Sequence, residues 1–396
     1  MVLTNKQEEG LKIAVARFKA REPWTCISGY AGSGKSTLVK FIVAALNIPE
    51  EDVCYVAYTG KAATVLKQKG CMNAMTAHKL LYWSSPTPTG KFIFKPRTIL
   101  EFPYQVIVVD EISMLPKSMW DLLLKHKKYI LALGDPGQLP PINKDEDNHV
   151  LDNPHIFLDE IMRQAQESEI IRLSMHVREG NPLSTFEAAG AQVQIFNTNQ
   201  VVNGMYSWAD QILCGTNAKR IELNNYIRNQ KGFDPLKPQV GDKIISLRNH
   251  WQTISTSGMW ALTNGAIGTI TDYRVEAKHL PFYISQTPIN YMMTDMELED
   301  QDTFLNLPID YQYFLDGTPS LTPRQSYLLN KNDSAPDAPF EFAYAYAITT
   351  HKAQGSEWDK VLVFEEAFPY NKEEHKRWLY TAVTRAKEKL VLISDM

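Results

Sequence analysis

Residues 25–46 read TCISGYAGSGKSTLVKFIVAAL, and this stretch constrains the fold more than any other. A short apolar run enters Gly29, Tyr30, Ala31, Gly32, Ser33, Gly34, Lys35 and Ser36, and an amphipathic pattern leaves it with Leu38, Phe41, Ile42 and Ala45 on one face. The glycines let backbone N–H groups curl around an anion, and a helix N-terminus adds positive potential. GxxxxGK[ST] between a strand and a helix is a phosphate-binding loop. It sets Gly32, Ser33, Gly34, Lys35, Ser36 and Thr37 against nucleotide phosphates. Lys35 reaches the β- and γ-phosphates, and the Ser36 hydroxyl is a ligand for Mg²⁺.

The metal needs a carboxylate. Residues 105–111, QVIVVDE, hold four consecutive apolar residues of the kind found in a parallel strand buried on both faces. Asp110 and Glu111 close that run, at the strand end where open α/β sheets place their ligands. Asp110 suits Mg²⁺, through water, and Glu111 suits orientation and deprotonation of an attacking water. A third apolar run, YILALGDPGQLPPI over 129–142, delivers Gln138 in a Pro/Gly-stiffened loop, where a carboxamide can sense a γ-phosphate. Together these make a Mg²⁺-dependent nucleoside triphosphatase of α/β class. The run NKDE at 143–146 ends in Glu146 where a guanine reader has Asp, so it reads as solvated surface rather than as a GTPase motif.

At 396 residues, the chain is too long for one ordinary core. With 44% hydrophobic and 22% charged residues it is globular. No apolar run reaches the roughly 18 residues of a membrane span, and MVLTNKQEEG carries no signal-peptide pattern. Cys26, Cys54, Cys71 and Cys214 stand apart without a CxxC pair and read as buried reduced thiols in a cytoplasmic protein. The nine histidines show no zinc spacing. A net charge of −4 argues mildly against a nucleic-acid partner, although a local basic groove can sit on an acidic protein.

GYAGSGKST, VVDEISML and LGDPGQLPPI, in this order and spacing, resemble motifs I, II and III of superfamily 1 helicases. VAYTGKAATVL (56–66) and TAHKLL (76–81) resemble motifs Ia and Ib of the RecD- and Dda-like, 1B branch. LDEIMRQ (158–164) resembles motif IV, ITTHKAQG (348–355) motif V, LYTAVTRAKEKLVLI (379–393) motif VI, and LTNKQEEGL (3–11) the Q motif. The resemblance covers residues 3–178, 211–270 and 340–393. One departure is Tyr58, where motif Ia usually has Pro.

The resemblance implies two RecA-like domains with ATP in the cleft between them. Gln7 would read the adenine edge, and Arg163 and Arg385 would reach from the second domain onto the γ-phosphate. Gln354 and Gly355 would line the nucleotide cleft. Thr59, Lys61, Thr76 and His78 from the first domain, with Thr350, His351 and Lys352 from the second, would grip the phosphates of single-stranded DNA. Each of these has an ordinary structural alternative: a helix cap for Arg385, a hydrogen-bonded core histidine for His78 and His351, a turn residue for Thr59. Eight Trp, 18 Tyr and 16 Phe give many aromatics, and none is singled out as a base-stacking residue.

The expected organisation is a first RecA-like domain over 1–156, interrupted at 83–98 by a β-hairpin that would serve as a strand-separating pin. A second RecA-like domain would span 157–235 and 339–396. Residues 236–338 read as an inserted β-rich, SH3-like domain, with NKNDSAPDAP (330 onwards) as a linker. The resulting expectation is a monomeric, cytoplasmic helicase of a bacterium or phage-infected cell. It would move 5′→3′ on single-stranded DNA and act on forked or tailed duplexes, possible partners being a single-strand-binding protein or a replisome component. Two alternatives stay open: an RNA-directed member of the same superfamily, and a DNA-binding subunit of a recombination complex.

Overall fold

The computed structural model describes residues 3–86, 92–140, 146–162, 167–258, 260–299, 302–330, 338–369 and 371–395. The chain forms two compact units. One comprises Met1–Tyr82, Pro96–Asn217 and Thr349–Met396; the other comprises Trp83–Lys95 and Ala218–Ile348.

The first unit holds two parallel sheets. The strands of the first run in the order Ala74–Thr76, Val53–Ala57, Val106–Val109, Tyr129–Gly134, Trp24–Gly29, Ile156–Leu158. Every pairing among them is parallel, for example Cys54 opposite Ile107 and Cys26 opposite Ala132. Val53–Ala57, Val106–Val109 and Tyr129–Gly134 are buried along their whole length, as the uninterrupted apolar runs require. The two-residue period sorts their side chains into two cores. Val106, Val108, Leu131 and Leu133 face helix Lys35–Ala45 through Leu38, Val39 and Ile42. Ile107, Val109, Ile130 and Ala132 face helix Lys117–Lys125 through Trp120 and Leu123.

The second sheet places Gln211–Cys214, Trp358–Phe364, Ala386–Ile393 and Val193–Phe196 side by side, all parallel. Helices Glu169–Arg178 and Lys372–Val383 pack on each other and on Ala386–Ile393. Helix Lys372–Val383 starts where the Asn371 side chain accepts from Glu373 N–H (2.9 Å) and Glu374 N–H (3.2 Å), with both glutamates favoured by the helix dipole. Ile156–Leu158 pairs with Ile27–Gly29, so the first sheet keeps the chain through Leu158.

In the other unit, Thr303–Asp310, Ile289–Leu298, Ile267–Lys278, Lys243–Ser246 and Phe342–Tyr344 form an antiparallel sheet in that order. Its core includes Ile244, Met292, Phe304 and Phe342. The Arg228 guanidinium is buried against Asp242, with Nε 2.9 Å from Oδ1 and Nη2 3.1 Å from Oδ2. Helices Tyr311–Asp316 and Pro323–Asn330 follow strand Thr303–Asp310 in a stretch whose sequence shows no helical period. The first is set by local capping rather than periodicity: Asp310 accepts from Tyr313 N–H, and left-handed Gly317 ends it. Tyr82–Pro86 and Phe92–Pro96 pair as the expected two-stranded hairpin, whose tip lies outside the described residues. All four cysteines are buried free thiols. Among the described residues no helix is long and apolar enough to cross a membrane.

Candidate nucleotide-binding and hydrolysis site

Three adjacent strands of the first sheet, Val106–Val109, Tyr129–Gly134 and Trp24–Gly29, end on the same edge. Each hands the chain to one of the polar segments picked out in the sequence. This convergence is what a parallel sheet offers a ligand.

The loop after Trp24–Gly29 leads into helix Lys35–Ala45, whose first turn has no side-chain cap. Its amides therefore remain available to an anion. Gly34 is left-handed at φ +80, a conformation that favours glycine, and a Cβ there would displace Gln7 Nε2. Lys35 Nζ donates to Gly29 O (2.6 Å) and Tyr30 O (3.0 Å), which folds it over the loop. Gln7 is 1% exposed. Its Oε1 accepts from Thr4 N–H (3.1 Å) and its Nε2 donates to Ser33 O (3.3 Å). The residue expected to read adenine thus braces the phosphate loop and caps its own helix.

Asp110 and Glu111 follow Val106–Val109 directly. Glu111 is left-handed (φ 50), a conformation costly for a residue with a side chain and typical of functional sites. Burial pushes the Asp110 carboxyl up, opposed by Lys35, and Asp110 Oδ1 accepts from Glu111 N–H at 3.0 Å. Burial likewise pushes Glu111 up, and Arg385 holds it back. Arg385, 2% exposed, enters from the second sheet's side of the cleft and sets Nη1 3.6 Å from Glu111 Oε1. Its other contacts are to Thr381 O (3.1 Å), Ser356 O (3.2 Å) and Thr384 Oγ1 (3.3 Å). Arg163 lies outside the described residues.

The Ser36 hydroxyl and Asp110 carboxylate are hard oxygen donors, the type Mg²⁺ takes alongside phosphate oxygens and water. Glu111 Oε2 is a buried acceptor without a hydrogen-bond partner, which fits an ordered water or metal-bound ligand beside it. Among the described residues no cluster of three or more His, Cys, Asp or Glu forms a metal cage. A Mg²⁺ bound mainly through nucleotide phosphates does not need one.

Gln138 sits in the loop after Tyr129–Gly134, with its N–H donating to Asp135 O at 3.2 Å. Elements of the second sheet hold the same loop. Thr381 Oγ1 accepts from Leu139 N–H (2.9 Å), and Gln354 Nε2 donates to Leu139 O (2.9 Å). Gln354 therefore grips the Gln138 loop. Its neighbour Gly355 is left-handed at φ +74, and a Cβ there would stand 3.0 Å from Thr59 Oγ1 and 3.4 Å from Glu111 Oε2. Tyr380, Thr381 and Asp135, which bind these loops, lie inside the motif segments without a motif signature of their own. The one available signal was a pair of hydroxyl-bearing residues on an otherwise apolar helix face.

The residues proposed to grip a strand divide. Thr59 Oγ1 caps helix Gly60–Gln68 by accepting from Ala62 N–H (3.2 Å), and Thr76 caps Ala77–Leu81 through Lys79 N–H (3.2 Å). The side chain of Lys61 is outside the described residues. His78 is half-buried between the rings of Tyr58 (6.1 Å) and Tyr82 (5.7 Å), and burial pushes it down to about 4. His351, on the short helix Thr350–Ala353 with Lys352, is lowered by burial as well. Thr350 is 0% exposed, and its hydroxyl donates to Cys214 O (3.4 Å), tying the short helix to strand Gln211–Cys214.

Residues 3–200, half of the chain, match a family model described as an AAA domain, and 344–393 match a UvrD-like helicase C-terminal domain. The chain is 23% identical to the ATP-dependent DNA helicase dda of Enterobacteria phage T4, over 97% of this chain and 98% of that one. It is 26% identical to the ATP-dependent RecD2 DNA helicase of Deinococcus radiodurans, over 92% of this chain but 46% of the relative. The fold matches a Bacteroides Pif1 crystal structure bound to single-stranded DNA, with a TM-score of 0.54, 18% identity, and coverage of 100% of this chain and 93% of that one. With phosphate loop, acidic strand end, carboxamide loop and arginine assembled on two parallel sheets, the chain belongs to the Pif1-, Dda- and RecD-like family of superfamily 1B helicases.

Proposed function

We propose that the protein is an ATP-dependent DNA helicase that moves 5′→3′ on single-stranded DNA and separates duplex ahead of it. The observation that carries the reading is Arg385 at 3.6 Å from Glu111, a second-sheet guanidinium on a first-sheet carboxylate. Hydrolysis needs both, so chemistry depends on how the two sheets close on each other.

Lys35 and the uncapped amides of helix Lys35–Ala45 bind the β- and γ-phosphates. Ser36 and Asp110 would hold Mg²⁺, which supplies charge neutralisation on the phosphates. Glu111 orients the attacking water and takes its proton, Gln138 senses the γ-phosphate, and Arg385 and Arg163 neutralise charge developing on the transferred phosphoryl group. Gln7 braces the adenine side of the loop, and Gln354 and Gly355 close the cleft from the second sheet. Thr59, Lys61, Thr76, His78, His351 and Lys352 lie on the segments that contact the DNA backbone. Separating a base pair costs on average about 1.4 kcal/mol, well within one ATP.

We read the two parallel sheets as two RecA-like domains, the 83–98 hairpin as a strand-separating pin, and 236–338 as an SH3-like insert. A functional monomer in the cytoplasm of a bacterial or phage-infected cell, meeting single-strand-binding or replisome proteins, completes the reading. The test is steady-state ATPase with and without a single-stranded DNA oligonucleotide at fixed salt, followed by unwinding of duplexes with 5′ or 3′ tails. DNA stimulation and a requirement for a 5′ tail support the reading, whereas stimulation by RNA alone, or none, refutes it. Lys35→Ala is the control that must abolish turnover.

A further inference from the structure

Helix Lys372–Val383 turns two polar side chains, Tyr380 and Thr381, into its buried face, where apolar side chains would pack as well. Tyr380 is 1% exposed. Its hydroxyl accepts from Ala31 N–H (2.8 Å) in the phosphate loop and donates to Asp135 Oδ2 (2.7 Å). Burial, reinforced by Asp135, raises this phenol well above its usual range, so it stays protonated and is the donor. Asp135 in turn shapes the Gln138 loop, with Oδ1 accepting from Gly137 N–H at 2.9 Å. The Tyr380 ring lies close beneath that turn, for a Cβ on Gly137 would stand 3.0 Å from Tyr380 Cε1. The next residue, Thr381, holds Leu139 N–H through Oγ1, and its carbonyl accepts from Arg385 Nε at 3.1 Å.

One hydroxyl thus touches the phosphate loop and the γ-phosphate-sensing loop, and it stands on the same piece of chain as the arginine. We propose that Tyr380 is a positioning residue for ATP hydrolysis. By bridging Ala31 and Asp135 it fixes Gln138 and Arg385 in register with the phosphate loop, so that closure of the two sheets becomes competence for chemistry. The proposal rests on the ATPase reading given above. A buried hydroxyl with two partners costs desolvation that phenylalanine would avoid. Its geometry connects three parts of the site that must move together.

The experiment uses Tyr380→Phe, which keeps the ring against Gly137 and deletes both hydrogen bonds, and Asp135→Asn, which keeps an acceptor for Gly137 N–H but removes the carboxylate charge that accepts the tyrosine hydrogen bond. The kcat of single-stranded-DNA-stimulated ATP hydrolysis is expected to fall about tenfold in each, the rate equivalent of roughly one hydrogen bond to a charged group. KM for ATP should change little, the melting temperature should fall modestly as Ala31 N–H and Asp135 lose a buried partner, and the double variant should be no slower than either single one. Wild-type kcat in Tyr380→Phe, a rise in KM at unchanged kcat, or independent additive losses would overturn the proposal. If Tyr380→Phe does not fold, Asp135→Asn alone carries the same expected loss. A wild-type protein whose turnover ignores DNA would refute the activity reading itself, and the proposal would fall with it, a result visible before either variant is made.

Discussion

Arg385 Nη1 and Glu111 Oε1 lie 3.6 Å apart, joining the second sheet's helix-to-strand turn to the acidic end of a first-sheet strand. The arginine is held there by the Thr381 and Ser356 carbonyls and the Thr384 hydroxyl, which engage three different nitrogens. A lysine has one nitrogen and cannot reproduce that fork. Arg385→Ala is therefore expected to lower kcat by about 10³-fold while nucleotide affinity, set by Lys35 and the phosphate loop, stays close to wild type. Arg385→Lys should recover only a small part. Steady-state ATPase and titration with a fluorescent nucleotide check both halves, and near-wild-type turnover in Arg385→Ala would remove the arginine from the chemistry.

Gly355→Ala tests the packing of motif V against motif II. The residue is left-handed, and the added methyl would press on Thr59 Oγ1 at 3.0 Å and on Glu111 Oε2 at 3.4 Å. Backbone strain of about 1 kcal/mol is expected from the conformation alone. A displaced Glu111 should cost about 10–100-fold in kcat. Thermal unfolding and ATPase together separate the two effects, since a variant that loses stability but keeps kcat would mean that Thr59 yields and Glu111 does not move.

Thr350→Val probes a side chain that the family resemblance places on DNA and that is fully buried here. Valine matches the shape and loses the bond to Cys214 O. Stability should fall by about 1 kcal/mol, with affinity for a single-stranded oligonucleotide unchanged. Chemical denaturation and fluorescence anisotropy provide the two readings. Weakened DNA binding in a stable variant would return Thr350 to the strand interface.

The contrast between Thr350 and Lys35 explains how much of the site was legible in sequence. Asp110 and Glu111 sit directly after an apolar strand run, and Lys35 and Gln138 lie in motif-bearing loops that follow two others, so motif spacing and the end-of-strand rule single them out in the sequence. The parallel sheets followed from the same runs. Thr350 lies at a helix start preceded by Thr349, and nothing local decides which hydroxyl faces inward. That depends on Cys214, distant in sequence. Tyr380 was hidden for the same reason, because its partners Ala31 and Asp135 are supplied by other strand ends. Helix Tyr311–Asp316 escaped because six residues are too few to show a period.

His78 gives the last prediction, on pH. Burial between Tyr58 and Tyr82 pushes it from the ordinary 6.5 to about 4 in the folded protein. The folded-state value is depressed, so below 6.5 the unfolded chain takes up a proton that the native state refuses. The stability His78 contributes is therefore complete above pH 6.5 and is lost as pH falls toward about 4. His78→Gln should flatten the decline in unfolding free energy between pH 7 and pH 5 relative to wild type, read from urea titrations at several pH values. Since the ring is neutral at pH 7, it releases no counterion on binding DNA. The same variant should leave the slope of log Kd against log salt unchanged, whereas Lys352→Ala should reduce it by about 0.7. A parallel pH decline in wild type and His78→Gln would show that the ring titrates alike in the folded and unfolded states and contributes no pH-dependent stability. A reduced salt slope in His78→Gln would show that it carries charge to the DNA.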